Sequence, residues 1–412
     1  MKTVCSWFLA VGAALMSALA SAAWYDTPGT VKLVPLSTNS AKTEDPHFMN
    51  KSANDKTLLV NMNASNDNDG PYLIDMDELV DPENDAPTMR KVFAKPSSIG
   101  ANQFKGGAIS SDLGLAILGN GSTMDSCAFL TGAGTAWTKG INLFNRTLDC
   151  KMDALVFGTG STYLYGNLYP NGGIARYTVG EKGVLSDKVT KATTVARVRN
   201  LSVYQVNGKE LVYYGEGNAA NGKICVMDVP AADTASWTET DLGVSLAGQI
   251  TNVKLSNEDT ATPILYALTD NGYLGIYKLA ADGKSVVETI KTIEPAELKV
   301  LAGTKRAEAK FRNFEVTKDG NTAFLINRVD EHNVYLAVLA SVPYIEMTAA
   351  NQLGIDTLYT PGPETAIWAD YAFMGNNPTD QYFVYEAGGA NSNGNAYFRP
   401  YINGNTSTAI LK

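Results

Sequence analysis

The chain has 412 residues, of which 45% are hydrophobic and 18% charged, with 37 glycines and 20 tyrosines. That is apolar material for a large core, and it points to many short strands separated by glycine-rich turns, an all-β class. The formal net charge of −9 argues against nucleic acid, which rewards a basic surface, and against anionic membranes.

Residues 1–22 read as a secretory leader. Lys2 supplies a minimal positive start, residues 4–19 form an apolar run too short and too weakly flanked for a stable span, and Ala20-Ser21-Ala22 fits a small-x-small cleavage site. An uncleaved anchor is the other reading of the same stretch. Cys5 stands ahead of the apolar run and not at its end, so it is no lipoprotein acceptor. No later stretch is long and apolar enough to cross a bilayer, so no membrane insertion is expected after cleavage. The expectation is a periplasmic or secreted monomer, residues 23–412 forming a single domain whose formal net charge moves from −9 to −10 once Lys2 is removed.

Residues 30–36 (TVKLVPL) alternate like a strand but have no neighbouring strand in sequence, and residues 37–46 are a polar linker. A degenerate unit then recurs: a strand with apolar alternation, a tight turn, an apolar strand, a loop and a further strand. Its copies cover residues 47–79, 104–144, 151–185, 199–242, 250–290, 311–339 and 367–402. Aligned on the heads of their first strands, they start at His47, Lys105, Lys151, Arg199, Thr251, Arg312 and Trp368, with spacings between 46 and 61 residues. A period in this range with about four short strands per unit is the mark of a β-propeller blade. Helical repeats are excluded, because no unit carries an apolar stripe at a 3.6-residue period. The fold expected is therefore an all-β, seven-bladed β-propeller, with six or eight blades as the neighbouring options. The seventh copy lacks an outer strand, and residues 30–36 would supply it, so that an N-terminal strand closes the ring and removes an exposed sheet edge.

The sixth copy resembles the YVTN-type and WD-type propeller repeats: VTKDGNTAFLIN at residues 316–327 is similar to their strand, Asp-Gly turn and strand, and VYLAVL at 334–339 to the strand that follows. ISSDLGLAILGN in the second copy is similar again. Two loops, LTGAGTAW ending at Trp137 and VMDVPAADTASW ending at Trp237, resemble the tryptophan-docking turns of quinoprotein-type propellers. These superfamilies hold enzymes, ligand binders and scaffolds, so the resemblance implies a fold and no activity. The cofactor site that quinoprotein chemistry needs has no trace in the sequence, and no cofactor is expected.

After the leader the cysteines are Cys127, Cys150 and Cys225. Export permits a disulfide, and Cys127–Cys150 is the closest pair in sequence; three reduced thiols are the alternative. With two histidines in the chain, His47 and His332, a multi-histidine metal site cannot be built, and neither HExxH nor CxxC occurs. Ser65–Gly70 (SNDNDG) resembles the start of a calcium loop, but its twelfth position is Met76 where a bidentate glutamate belongs, so a polar hairpin loop is the better reading and no metal is expected. Asp153, Glu315 and Asp370, each two or three residues beyond the head of a first strand, are candidate glycosidase carboxylates.

The heads of the first strands form the most informative constellation. In a propeller they lie innermost at one mouth of the central channel. Lys105, Lys151, Arg199 and Arg312 stand there with His47, while Asn200, Asn252 and Asn313 follow at the next position in three copies and Trp368 offers a stacking face. Cations and amides converging on a concave mouth suit an anion, which arginine grips in bidentate fashion. The expected ligand is an anionic glycan, small molecule or protein segment. The same basic residues would alternatively pair with carboxylates of the adjacent blade as a structural latch. Three functions stay open: a non-catalytic binding module at the channel mouth, a carbohydrate-active enzyme, and a structural platform of the cell envelope.

Overall fold

The computed structural model describes residues 154–168, 172–180, 185–256 and 261–295 continuously; elsewhere it describes residues 77–78 and the strands alone. The described strands form seven four-stranded antiparallel sheets, designated I to VII. Their first strands are Pro46–Lys51, Gly106–Ser110, Leu155–Phe157, Val198–Val206, Ile250–Ser256, Phe311–Val316 and Ala372–Met374. In sheets I to VI the four strands follow in chain order. In sheet VII the strands Tyr382–Gly389 and Ser392–Pro400 follow the first, and Lys32–Pro35 pairs antiparallel with Ser392–Pro400, Leu33 opposite Tyr397.

Local chemistry accounts for the hairpins. In sheet IV the first strand turns into Lys209–Glu216 through Asn207-Gly208, both at positive φ (51° and 73°), the geometry that an Asn-Gly pair supplies at low cost and that matches strand twist. The Nδ2 of Asn207 also donates to the Ala281 carbonyl at 2.9 Å, tying this turn to sheet V.

The core is laid down between sheets. The second strand of sheet IV reads Leu211-Val212-Tyr213-Tyr214, all 0% exposed. Side chains alternate across a strand, so a strand covered on both faces needs a continuous apolar run. Leu211 and Tyr213 join a cluster with Ile250, Val253, Leu265 and Tyr277 of sheet V. Val212 and Tyr214 join one with Tyr165 and Ile174 of sheet III, and with Cys225, Met227 and Trp237 of sheet IV itself. Each such side chain contributes about 1.5–3 kcal/mol of burial.

Cys225 lies on the third strand of sheet IV (Asn221–Asp228), fully buried and in no disulfide. Burial pushes its thiol up to about 12, with the charges of Glu239 and Asp241 adding to the effect. Cys127 opens the third strand of sheet II (Cys127–Thr131), while Cys150 lies outside the described residues, as does any bridge between them.

Directed polar contacts join successive sheets. Between III and IV, Asn167 Nδ2 donates to the Val198 carbonyl at 2.9 Å, while Glu210 accepts from the Thr159 amide at 2.7 Å and from the Tyr165 hydroxyl at 2.5 Å. Between IV and V, Ser202 Oγ donates to the Val253 carbonyl at 2.5 Å, Tyr213 Oη donates to the Gly283 carbonyl at 2.9 Å, and Lys284 pairs with Asp228. Among the described residues, no helix is long and apolar enough to cross a membrane.

Candidate functional site

The heads of the first strands share a backbone device. In sheet I, Pro46 pairs with Met62 and Phe48 with Asn61, which leaves His47 as an extra residue. In sheet V, Ile250 pairs with Thr269 and Asn252 with Leu268, which leaves Thr251. In sheet VI, Phe311 pairs with Asn327 and Asn313 with Ile326, which leaves Arg312. In sheet IV, Arg199 and Asn200 stand between the pairs Val198–Glu216 and Leu201–Tyr214, two residues opposite one. Each is a β-bulge at the same place in its sheet. A bulge bends its strand and re-aims a side chain, and bulges gather at barrel rims and functional sites.

The amide row that follows the bulges is partly engaged in joining sheets. Asn200 Oδ1 accepts from the Leu201 amide at 2.8 Å, and Asn200 Nδ2 donates to Asn252 Oδ1 at 2.8 Å across the boundary between sheets IV and V. Asn252 is 3% exposed. Arg199, half-buried, lays its aliphatic stem over Gly217, where a Cβ would overlap the Arg199 Cγ. Thr251 donates its hydroxyl to the Leu268 carbonyl at 3.2 Å.

The remaining sequence-derived positions are placed less fully. Lys105 directly precedes the first strand of sheet II and, with Lys151 and Trp368, lies outside the described residues. His47, Arg312 and Asn313 are placed by strand and register. Of the candidate carboxylates, Glu315 lies in the first strand of sheet VI opposite Phe324, whereas Asp153 and Asp370 are outside the described residues, as is the SNDNDG loop. Among the described residues no three of His, Cys, Asp and Glu cluster as metal ligands.

Two residues at this end have no counterpart in the sequence reading. Arg197 and Gln249 immediately precede the first strands of sheets IV and V, and they are equivalent. The Arg197 carbonyl accepts from the Gly217 amide at 2.7 Å and the Gln249 carbonyl from the Asp270 amide at 2.9 Å, each donor being the residue just beyond the second strand. The sequence signal was available: Arg197 and Gln249 each stand two residues ahead of an aligned head.

A second cluster, outside the strand heads, fills the boundary between sheets III and IV. The buried Arg176 guanidinium lies 4.2 Å from the Tyr163 ring centre and 4.9 Å from that of Trp237, and it donates to the carbonyls of Val229 at 3.3 Å and Ala231 at 2.5 Å. Trp237 is 2% exposed and its indole N–H donates to the Ala231 carbonyl at 2.8 Å. The loop ending at Trp237 thus docks a tryptophan on the neighbouring sheet.

No protein-family model matches the sequence, and no curated protein matches it. Solved structures do align along most of its length. Hydrazine synthase of Kuenenia stuttgartiensis aligns with TM-score 0.56 at 11% identity, covering 89% of this chain and 98% of that one. The periplasmic gluconolactonase PpgL of Pseudomonas aeruginosa aligns with TM-score 0.54 at 13% identity, covering 85% and 97%. The β-propeller domain of Myceliophteria thermophila Cps50 (Swd1) aligns with TM-score 0.50 at 7% identity, covering 88% and 98%. The fold is a β-propeller. Identities this low establish the fold alone, and the same fold serves proteins of different function, so function has to be argued from the site.

Proposed function

We propose that this propeller is an exported, non-catalytic binding module that holds an anionic ligand at one mouth of its central channel. In this reading the sheets are the seven blades of one ring, and the N-terminal strand Lys32–Pro35 closes it as the outer strand of blade VII. The antiparallel pairing of that strand with Ser392–Pro400 supports the closure. The observation that carries the ligand site is the shared bulge. In three of the four sheets whose described first strand carries this bulge, the extra position holds a residue that is or can become cationic, namely His47, Arg199 and Arg312, on a chain whose formal net charge is −9. Cations collected at a concave mouth focus potential on an anion even when the whole protein is acidic. The bond from Asn200 to Asn252 joins two blades and keeps adjacent heads in register.

The test is thermal. Sulfate and glucuronate are expected to stabilise the wild-type protein, by about 2.7 kcal/mol at a hundredfold excess over Kd. Replacing both arginines (Arg199→Ala with Arg312→Ala) should abolish that stabilisation and leave the melting temperature without ligand unchanged. A double variant that unfolds on its own would instead establish the arginines as a latch between blades.

A further inference from the structure

We propose that the anion this mouth selects is a hydroxylated one, a sugar acid or acidic saccharide, and that Gln249 is the residue that reads its hydroxyl. The inference rests on the binding reading above and narrows it. Sheet V interrupts the cationic row. At the two positions where sheet IV carries Arg197 and Arg199, sheet V carries Gln249 and Thr251, and in the sequence Lys310 and Arg312 resume the basic pattern for sheet VI. The order across three sheets is therefore cation, neutral hydrogen-bonding pair, cation.

The neutral pair is poised to accept. Gln249 Oε1 is buried and has no hydrogen-bond partner among the described residues. A buried acceptor left without a donor costs about 1–3 kcal/mol. The backbone of Gln249 is fully used, its N–H donating to Asp270 Oδ1 at 2.8 Å and its carbonyl accepting from the Asp270 amide, so the residue's main chain is fixed at the strand head. Thr251 spends its proton on the Leu268 carbonyl, and its oxygen retains lone pairs that accept. Sheet V thus presents acceptors between basic neighbours. Sulfate or a simple carboxylate satisfies the cations and brings no donor; a hydroxylated acid satisfies both.

Asp270 and Glu216 also stand at this end of the sheets, and Asp270 Oδ1 accepts from the Gln249 amide. A phosphate monoanion carries donors of its own, so sulfate is the cleaner reference anion.

The experiment compares glucuronate with cyclohexanecarboxylate, a ring carboxylate of similar size without hydroxyls, by calorimetric titration against wild type, Gln249→Met and Thr251→Val. Wild type is expected to prefer glucuronate by tenfold or more. Gln249→Met should collapse that preference toward unity while leaving the affinity for cyclohexanecarboxylate and sulfate unchanged. Its melting temperature without ligand should be unchanged or higher, because an unpaired buried acceptor has been replaced by an apolar chain of similar shape. Thr251→Val should reduce the preference by a smaller factor. If wild type binds both carboxylates equally, or Gln249→Met keeps the preference, the inference is overturned while the anion site stands. If wild type binds neither carboxylate nor sulfate, the anion site falls and the inference falls with it.

Discussion

At the scale of single residues, the mouth depends on where side chains find room. Gly217 is not at a positive φ, so its backbone does not require glycine; what requires it is the Arg199 stem lying across it. A methyl at Gly217 would push that stem aside. Gly217→Ala is therefore expected to weaken sulfate and glucuronate binding by about tenfold, an effect of roughly 1.4 kcal/mol, with little change in melting temperature. Unchanged affinity in that variant would show that Arg199 does not reach the ligand from its present path. Arg199 and Arg312 stand out in the sequence as basic residues at a repeated position. Gln249 does not, because its interest lies in a buried oxygen without a donor, and sequence carries no record of burial atom by atom.

Elements are joined here by side chains that cross from one sheet to the next. The loop ending at Trp237 resembles a docking turn in sequence, and its docked partner is Arg176, set between Tyr163 and Trp237 with its hydrogen bonds made to loop carbonyls. A guanidinium buried this way is held by dipoles and aromatic faces, so replacing the indole by a phenyl ring removes a hydrogen bond and shrinks the stacking face. Trp237→Phe is expected to lower unfolding stability by about 2 kcal/mol, read as a shift in the urea midpoint at constant slope. A midpoint within error of wild type would mean that the loop is not a dock between sheets. The bulges belong to this scale too. The head residues line up in sequence at the start of each first strand, yet an extra residue in the ladder shows only in the register between strands. Bulges form where two strands disagree in length, and one strand read alone does not contain its partner.

For the whole molecule, the pairing of Lys32–Pro35 with Ser392–Pro400 is what the proposed ring closure rests on. A propeller whose last blade lacks its outer strand presents the backbone groups of Ser392–Pro400 as an open edge, and open edges recruit other chains. On the proposed closure, a truncated chain beginning at residue 37 is expected to melt at lower temperature and to self-associate in sedimentation more than a chain beginning at residue 23 does. Equal melting temperatures and a monodisperse short form would remove Lys32–Pro35 from the closure. The sequence by itself determined the fold class: a repeat of 46 to 61 residues, period-two strands and Asn-Gly or Asp-Gly turns are local properties, and local properties are written residue by residue. Only the tertiary structure decided which side chains meet across sheets, that Asn200 reaches Asn252, that Trp237 covers Arg176, and that Gln249 keeps a buried acceptor. The first two contacts join residues 52 and 61 positions apart, and such pairings depend on the twist and register of two packed sheets, which no single strand encodes.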